Sequence, residues 1–315
     1  MKIIVDTSLP QEWMSPLLTL SSRDVQLVYW GEKQWQDADV LMSNFYMKVT
    51  KDVLNQLPNL KLITQFGVGY DNIDVTACQE RGVIVTNTPQ PVIEPTAELC
   101  MALIMGIARR TAELDRTIRN NQVEFGLLKN LGTSLYGKTL GIVGLGNIGR
   151  SVARRAIACG MKIIYHNRKP VSGEVLHACQ ITAEYVPLEH LLQTADFVSL
   201  NLPYSTEVRH LIGEREFKMM KPSAFLINTA RGAHVDEDAL ISALKHGEIA
   251  GAALDVYEHE PQISEGLKEL PNVLMVPHVG TGTWEGRKAM CDAMLDNIIA
   301  FMEKDYTRMT IVNSF

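Results

Sequence analysis

No run of about 18 apolar residues occurs in these 315 residues, so the sequence offers no candidate membrane span. A leader pattern is lacking too. A strand-like segment, Lys2-Ile3-Ile4-Val5, begins at once, and no signal peptide is expected. Cysteine is scarce: Cys78, Cys100, Cys159, Cys179 and Cys291 are odd in number, scattered, and form no C-x-x-C pair. That pattern predicts reduced thiols in a cytoplasmic protein and argues against a disulfide frame or a zinc site. Basic residues are in deficit, 30 Lys and Arg against 36 Asp and Glu, for a net charge of −6. With no basic footprint, nucleic acid is not an expected partner. Metal-ligand spacings, repeats and low-complexity tracts are all missing, so no metal and no solenoid is expected. What remains is the composition of an ordinary globular chain, long enough for two domains with ample core.

Short apolar segments alternate with helical stretches along the whole chain. Residues 2–5, 25–29, 40–42, 61–64 and 83–86 read as five strands. A second series, 139–143, 161–165, 196–200, 224–228, 251–255 and 273–276, supplies six more. A β-α-β-α order favours parallel, doubly wound sheets. Between the two series the spacing of Leu99, Leu103, Ile104, Ile107 and Leu114 predicts one long helix over 96–119, packed between domains or subunits. A last helix is expected over 284–304.

The most informative motif lies in mid-chain. Gly144-Leu145-Gly146-Asn147-Ile148-Gly149 follows a strand pattern and opens a helical one. The first Gly allows the tight turn, the second lets backbone approach a pyrophosphate, and the third lets helix and strand pack closely. The helix N-terminus adds N–H groups and partial positive charge. After the next strand, an NAD site would place an acid to accept from the ribose hydroxyls. This chain has Asn167, Arg168 and Lys169 there. Asn167 can still bond a ribose hydroxyl, while the two cations suit a 2′-phosphate, so NADP(H) is expected over NAD(H).

Three further motifs end strands of the second series: Asn228-Thr229-Ala230-Arg231-Gly232, Asp255-Val256-Tyr257-Glu258-His259-Glu260-Pro261 and Pro277-His278-Val279-Gly280. Singly each is weak. Together they fit reduction of a 2-oxo acid, where a hydride reaches the carbonyl carbon and a proton must reach the oxygen. His278 is the natural donor, Glu260 the carboxylate that orients it, and Arg231 the guanidinium that holds the substrate carboxylate and polarises the carbonyl. Gly67-Val68-Gly69 ends a strand of the first series, and the N–H groups around Val68 and Gly69 suit the substrate carboxylate. Asp255 is the remaining acid, matched to the carboxamide of a nicotinamide.

These residues resemble the D-isomer-specific 2-hydroxyacid dehydrogenase family. The likeness is carried by Phe66-Gly67-Val68-Gly69-Tyr70-Asp71-Asn72-Ile73-Asp74, by the Gly-rich turn and by the three strand-end motifs, in the family's order. The resemblance implies Arg231 as substrate binder, His278 as acid/base and Glu260 as its partner, chosen over Glu258 because the family's Glu directly precedes the Pro. It implies backbone contacts to the pyrophosphate at Asn147 and Ile148, nicotinamide-side contacts at Thr229, Arg231 and Asp255, and an adenosine-side contact at Pro203. It also implies a homodimer built on the nucleotide domain, with the helix after Pro95 in the interface.

The resulting expectation is an α/β chain of two doubly wound parallel-sheet domains. One is a flavodoxin-like substrate domain, residues 1–95 with 285–315. The other is an inserted Rossmann dinucleotide-binding domain, 96–284. Connections near Pro95 and Gly280 would hinge a cleft that narrows on binding. Loops 44–47 and 67–70, with Trp284, would limit substrate bulk. The Asn167-Arg168 pair is similar to the glyoxylate and hydroxypyruvate reductase branch, and Val208 stands where Thr or Asn is frequent. Room for the regulatory domains of longer phosphoglycerate dehydrogenases is not expected. Two other functions remain open: an NAD-linked D-lactate-type dehydrogenase, and a dinucleotide-sensing corepressor that shares the fold. His166 is expected at the ribose loop. His177, His190, His210, His234, His246 and His259 are expected to be structural or at the surface.

Overall fold

The structure is a computed structural model, and it describes residues 1–6, 8–19, 25–32 and 34–315. The chain divides into two units, 1–92 with 281–315, and 93–280.

The first unit runs β1 (Lys2–Val5), α1 (Ser15–Thr19), β2 (Gln26–Tyr29), β3 (Val40–Asn44), α2 (Lys51–Asn55), β4 (Leu62–Phe66), α3 (Val75–Glu80) and β5 (Ile84–Thr86). Its strands pair in parallel in the order β2-β1-β3-β4-β5. That is the flavodoxin-like winding expected from the β-α-β-α pattern. Each strand contributes one residue to a buried row: Ile4, Val28, Leu41, Ile63 and Val85. Such a row follows from the two-residue repeat of a strand.

The second unit begins with α4 (Ile93–Ala108) and α5 (Thr111–Arg119). The single helix expected over 96–119 is therefore two. Arg110 adopts φ 56°, a left-handed conformation that ends helical bonding, and periodicity alone does not register it. Pro95 does not block the start, because it lies in the first turn where its missing N–H costs nothing. One face of α4 packs on the sheet of its own unit. Ala97, Cys100, Met101, Leu103, Ile104 and Ile107 are buried in this unit's own core.

There follow β6 (Thr139–Val143), α6 (Asn147–Ala158), β7 (Lys162–His166), α7 (Gly173–Ala178), β8 (Glu184–Tyr185), α8 (Leu188–Thr194), β9 (Phe197–Leu200), α9 (Glu214–Met219), β10 (Phe225–Asn228), α10 (Glu237–Lys245), β11 (Gly251–Leu254), α11 (Glu265–Lys268) and β12 (Val273–Met275). Among the described residues the sheet has seven strands, in the order β12-β11-β10-β9-β6-β7-β8, all parallel. Six were expected. The seventh, β8, is a two-residue edge strand with both residues exposed, too short to carry a hydrophobic signature. Both faces of this sheet are covered. Val198, Leu200, Leu226, Ala252 and Leu254 pack on one side, and Leu140, Ile142, Ile163, Tyr165, Phe197 and Ile227 on the other. Strand order reverses between β6 and β9, the crevice where doubly wound sheets take ligands.

The chain then returns to the first unit as α12 (Trp284–Glu303). Met290, Cys291, Met294, Leu295 and Ile298 are its buried positions. The tail beyond it is stitched to β5: Asn313 accepts from the Val85 N–H and donates to the Val83 carbonyl. Among the described residues, no helix is long and apolar enough to cross a membrane.

Candidate active site

The Gly-rich turn sits at the C-terminal end of β6, at the crevice. Gly144 adopts φ 99°, and a Cβ there would lie 2.6 Å from the Asn201 carbonyl oxygen. A Cβ at Gly149 would lie 2.3 Å from the Gly144 carbonyl oxygen. Gly146, by contrast, has nothing within 4 Å of such an atom. Two glycines are thus demanded by close packing, and the open space at Gly146 leaves room for a pyrophosphate to approach the backbone. Gly146 caps α6 with no side-chain bond, so Asn147 and Ile148 open a helix whose first amides are not capped from within. These features fit a dinucleotide.

At the end of β7, the Asn167 side-chain oxygen accepts from the Leu145 N–H at 2.7 Å, which ties this loop to the turn. Arg168 and Lys169 are exposed. His166 bonds the Val186 carbonyl through Nδ1 at 3.0 Å and stacks on Tyr185. Pro203 is exposed beyond β9, and Thr229 is nearly buried beyond β10 with its hydroxyl beside the Cys100 thiol.

Three loops at the ends of β10, β11 and β12 bring Arg231, Glu260 and His278 together. His278 Nδ1 and Glu260 Oε2 are 2.8 Å apart. The other carboxylate oxygen, Oε1, accepts from the Tyr257 N–H at 2.8 Å. Burial acts to raise the Glu260 carboxyl. The His278 bond and charge, the Tyr257 amide and the nearby Arg231 guanidinium outweigh it and hold the group below its ordinary range.

Arg231 owes its place to backbone packing. A Cβ on the next residue, Gly232, would fall 1.9 Å from the Tyr257 carbonyl carbon, so only glycine lets this loop lie on the 255–261 loop. Asn228 shapes the same turn. Its amide donates to the Arg231 carbonyl at 2.8 Å, and its oxygen accepts from the Ala230 N–H at 3.0 Å.

Asp255 has a task that the sequence did not reveal. It is 1% exposed, and its two carboxylate oxygens accept from Val279 N–H at 2.6 Å and Gly280 N–H at 2.8 Å. Its carbonyl accepts from the His278 N–H at 2.8 Å. Three successive amides thus converge on one residue and hold His278 at φ 51°, a conformation that side chains other than glycine rarely take. Burial pushes the Asp255 carboxyl up, against the amides and His278, which pull it down.

In the first unit, Gly67-Val68-Gly69 follows β4 with Gly67 at φ 142°. Its carbonyls are pinned by local side chains. Asn87 donates to the Val68 oxygen at 2.8 Å and Gln65 to the Gly69 oxygen at 3.2 Å. Arg287 stacks over Phe45 and Phe66 at 5.5 and 5.4 Å, and Trp284 meets Trp13 edge-on at 6.0 Å. Asn228, Gly232 and Tyr257 support the Arg231 and Glu260 loops of the second unit, Asn87 and Gln65 support the Gly67 loop of the first, and none was singled out from sequence. Asn228, Gly232 and Tyr257, inside recognised motifs, carried a local signal, and Asn87 and Gln65 carried none.

Residues 101–280 match the family model described as the NAD-binding domain of D-isomer specific 2-hydroxyacid dehydrogenases. A glyoxylate reductase of Thermococcus litoralis is 48% identical over 273 residues, 84% of this chain and 81% of that protein. Among solved structures, the NADPH-dependent glyoxylate/hydroxypyruvate reductase of Sinorhizobium meliloti, in complex with NADP and malonate, is 30% identical with a TM-score of 0.84, over 96% of this chain and 93% of that one. The D-lactate dehydrogenase of Aquifex aeolicus, complexed with NAD and lactic acid, is 29% identical with a TM-score of 0.88, over 100% of both chains.

Proposed function

The chain belongs to the D-isomer specific 2-hydroxyacid dehydrogenases, and from that premise we propose that it reduces a small 2-oxo acid of the glyoxylate or hydroxypyruvate type to the D-2-hydroxy acid, with NADPH preferred. The observation that carries this reading is the 2.8 Å His278–Glu260 bond beside Arg231 at the ligand-binding edge of a dinucleotide sheet. When bound, a nicotinamide cofactor would supply hydride for the carbonyl carbon. Arg231 holds the substrate carboxylate and draws electron density onto the carbonyl oxygen. The N–H groups of Val68 and Gly69, in the first unit, are assigned to substrate binding as well. As charge gathers on the oxygen, His278 gives it the proton on Nε2, while Glu260 keeps the ring in register through Nδ1. Gly144, Gly146 and Gly149, with the amides of Asn147 and Ile148, receive the pyrophosphate. Pro203 would contact the adenosine side and Thr229 the nicotinamide side, as the resemblance implies. Asp255 contributes chiefly by holding the His278 loop.

Arg168 and Lys169 stand for the 2′-phosphate. With the Asn167 oxygen already committed to Leu145, these two cations carry most of the preference. A second reading, an NAD-linked D-lactate-type dehydrogenase, draws on their exposure, since a solvated basic turn needs no phosphate. Steady-state kinetics with both cofactors on a panel of 2-oxo acids separate the two. NADPH should win by about tenfold or more in kcat/KM, with glyoxylate and hydroxypyruvate the best substrates, and an NADH preference would overturn the assignment. In the same assay, His278→Ala should lose about a thousandfold in kcat while dinucleotide affinity stays within about twofold.

The assembly we infer is a homodimer in the cytoplasm. Phe125, Leu127, Leu128, Leu131 and Tyr136 follow α5 and are 61% exposed or more. An apolar segment so displayed calls for a protein surface to cover it.

A further inference from the structure

A second histidine–glutamate pair lies beside the first. His210 Nε2 and Glu258 Oε1 are 2.6 Å apart, and Arg209 Nη2 donates to the same oxygen at 2.7 Å. The Glu258 side chain is only 9% exposed. His210 is held at φ 49°, and its N–H donates to the Ala233 carbonyl at 2.8 Å. Its Nδ1 faces the Asp236 carboxylate at 3.9 Å. From the other side, the Glu258 N–H donates to Glu237 Oε1 at 2.6 Å. Burial pushes that Glu237 carboxyl up, and the negative Glu258 adds to the effect, while the Glu258 amide and His259 pull it down.

His210 therefore stands where three loops meet. It belongs to the loop after β9, bonds the backbone of the Arg231 loop after β10, and bonds the side chain of the loop after β11 that carries Glu260. The backbone on which Gly232 rests is the Tyr257 carbonyl and the nitrogen of Glu258 itself. The Tyr257 N–H, which holds Glu260 Oε1, is in the adjoining residue. A shift of Glu258 would move that amide, and with it the carboxylate that sets the His278 ring.

We propose that His210, through Glu258 and with Arg209, is a positioning residue for Arg231 and the Glu260–His278 pair. This rests on the reading of those three as the catalytic group. The side-chain bonds of Arg209, His210 and Glu258 run to one another and to Asp236, and the loop after β9 meets Arg168 through the charge of Glu207 instead, so cofactor affinity should depend little on the clasp. Displacement of a catalytic group by about 1 Å is enough to cost about a hundredfold in rate, and a loosened clasp allows shifts of that order.

The test compares two replacements of one residue. Asn tolerates the left-handed conformation but is too short to reach Glu258. Gln reaches it and presents a donor near the position of Nε2. His210→Asn should lower kcat on glyoxylate by about tenfold to a hundredfold, with dinucleotide Kd, read by protein fluorescence, unchanged within about twofold. His210→Gln should recover most of the loss. Glu258→Gln, which keeps an acceptor at an unchanged backbone, should lose less than Glu258→Ala. Wild-type kcat in His210→Asn, or equal loss in the Asn and Gln variants, would overturn the proposal. His278→Ala is run alongside. If that variant retained turnover, the assignment of the catalytic group itself would fall and the clasp would have nothing to position. If it is inactive while His210→Asn is normal, only the clasp is refuted.

Discussion

Glu260 shows how one residue's surroundings oppose each other. Burial alone would make its carboxyl easier to protonate, yet His278, the Tyr257 amide and Arg231 hold it below the usual range. Its folded pKa lies below its unfolded one. The pair therefore stabilises the fold at and above the ordinary carboxylate range, and that contribution fades as pH falls through the folded value. Removing the imidazole should let burial count for more. In His278→Ala the Glu260 carboxyl is expected to titrate at higher pH than in the parent, read by carbon NMR of labelled glutamate. An unmoved or lower titration would mean that the 2.8 Å contact does not govern the carboxylate.

At the scale of elements, the decisive contact is between two loops. The 277–280 segment has no helix or strand of its own to fix it. It is held because Asp255, at the end of β11, collects the amides of His278, Val279 and Gly280. An amide in place of the carboxylate would turn one of its acceptors into a donor facing a backbone N–H. Asp255→Asn should lower unfolding stability by about 1–3 kcal/mol, the cost of a buried polar group left unsatisfied, as measured by urea denaturation. It should also reduce kcat with little change in dinucleotide affinity. A variant equal to the parent in both would show that the loop is held by other means. The break between α4 and α5 belongs to this scale as well. Left-handed Arg110 turns the chain there and bonds Glu113 of the new helix with its guanidinium, at 2.8 Å through Nε.

For the whole molecule, the unanswered demand is the apolar segment after α5. Leu127 is 95% exposed and Phe125 89%, figures that fit a covered surface better than a solvated one. If a second copy covers it, charge placed there should split the assembly. Leu127→Asp combined with Leu128→Asp is expected to sediment as a monomer at concentrations where the parent is a dimer. The segment follows α4 and α5 directly, so it extends the surface that the resemblance assigned to the interface. A double variant that stays dimeric would move the interface elsewhere.

The sequence by itself determined the two parallel sheets, the mid-chain place of the Gly-rich turn, and the residue types that end each strand. These are legible because strand periodicity, βα turns and special glycines are local requirements, met within a few residues of the motif. Arg231, Glu260 and His278 were recognisable from their types and their positions after strands. Tertiary structure alone decided the rest. It gave Asp255 to backbone amides, bent the helix at Arg110, added the exposed edge strand β8, and set a second pair, His210 and Glu258, against the first. The Asp255 and His210–Glu258 contacts depend on which amide or ring arrives from a distant part of the chain. Distances of 20 to 50 residues separate such partners, and no periodicity records them.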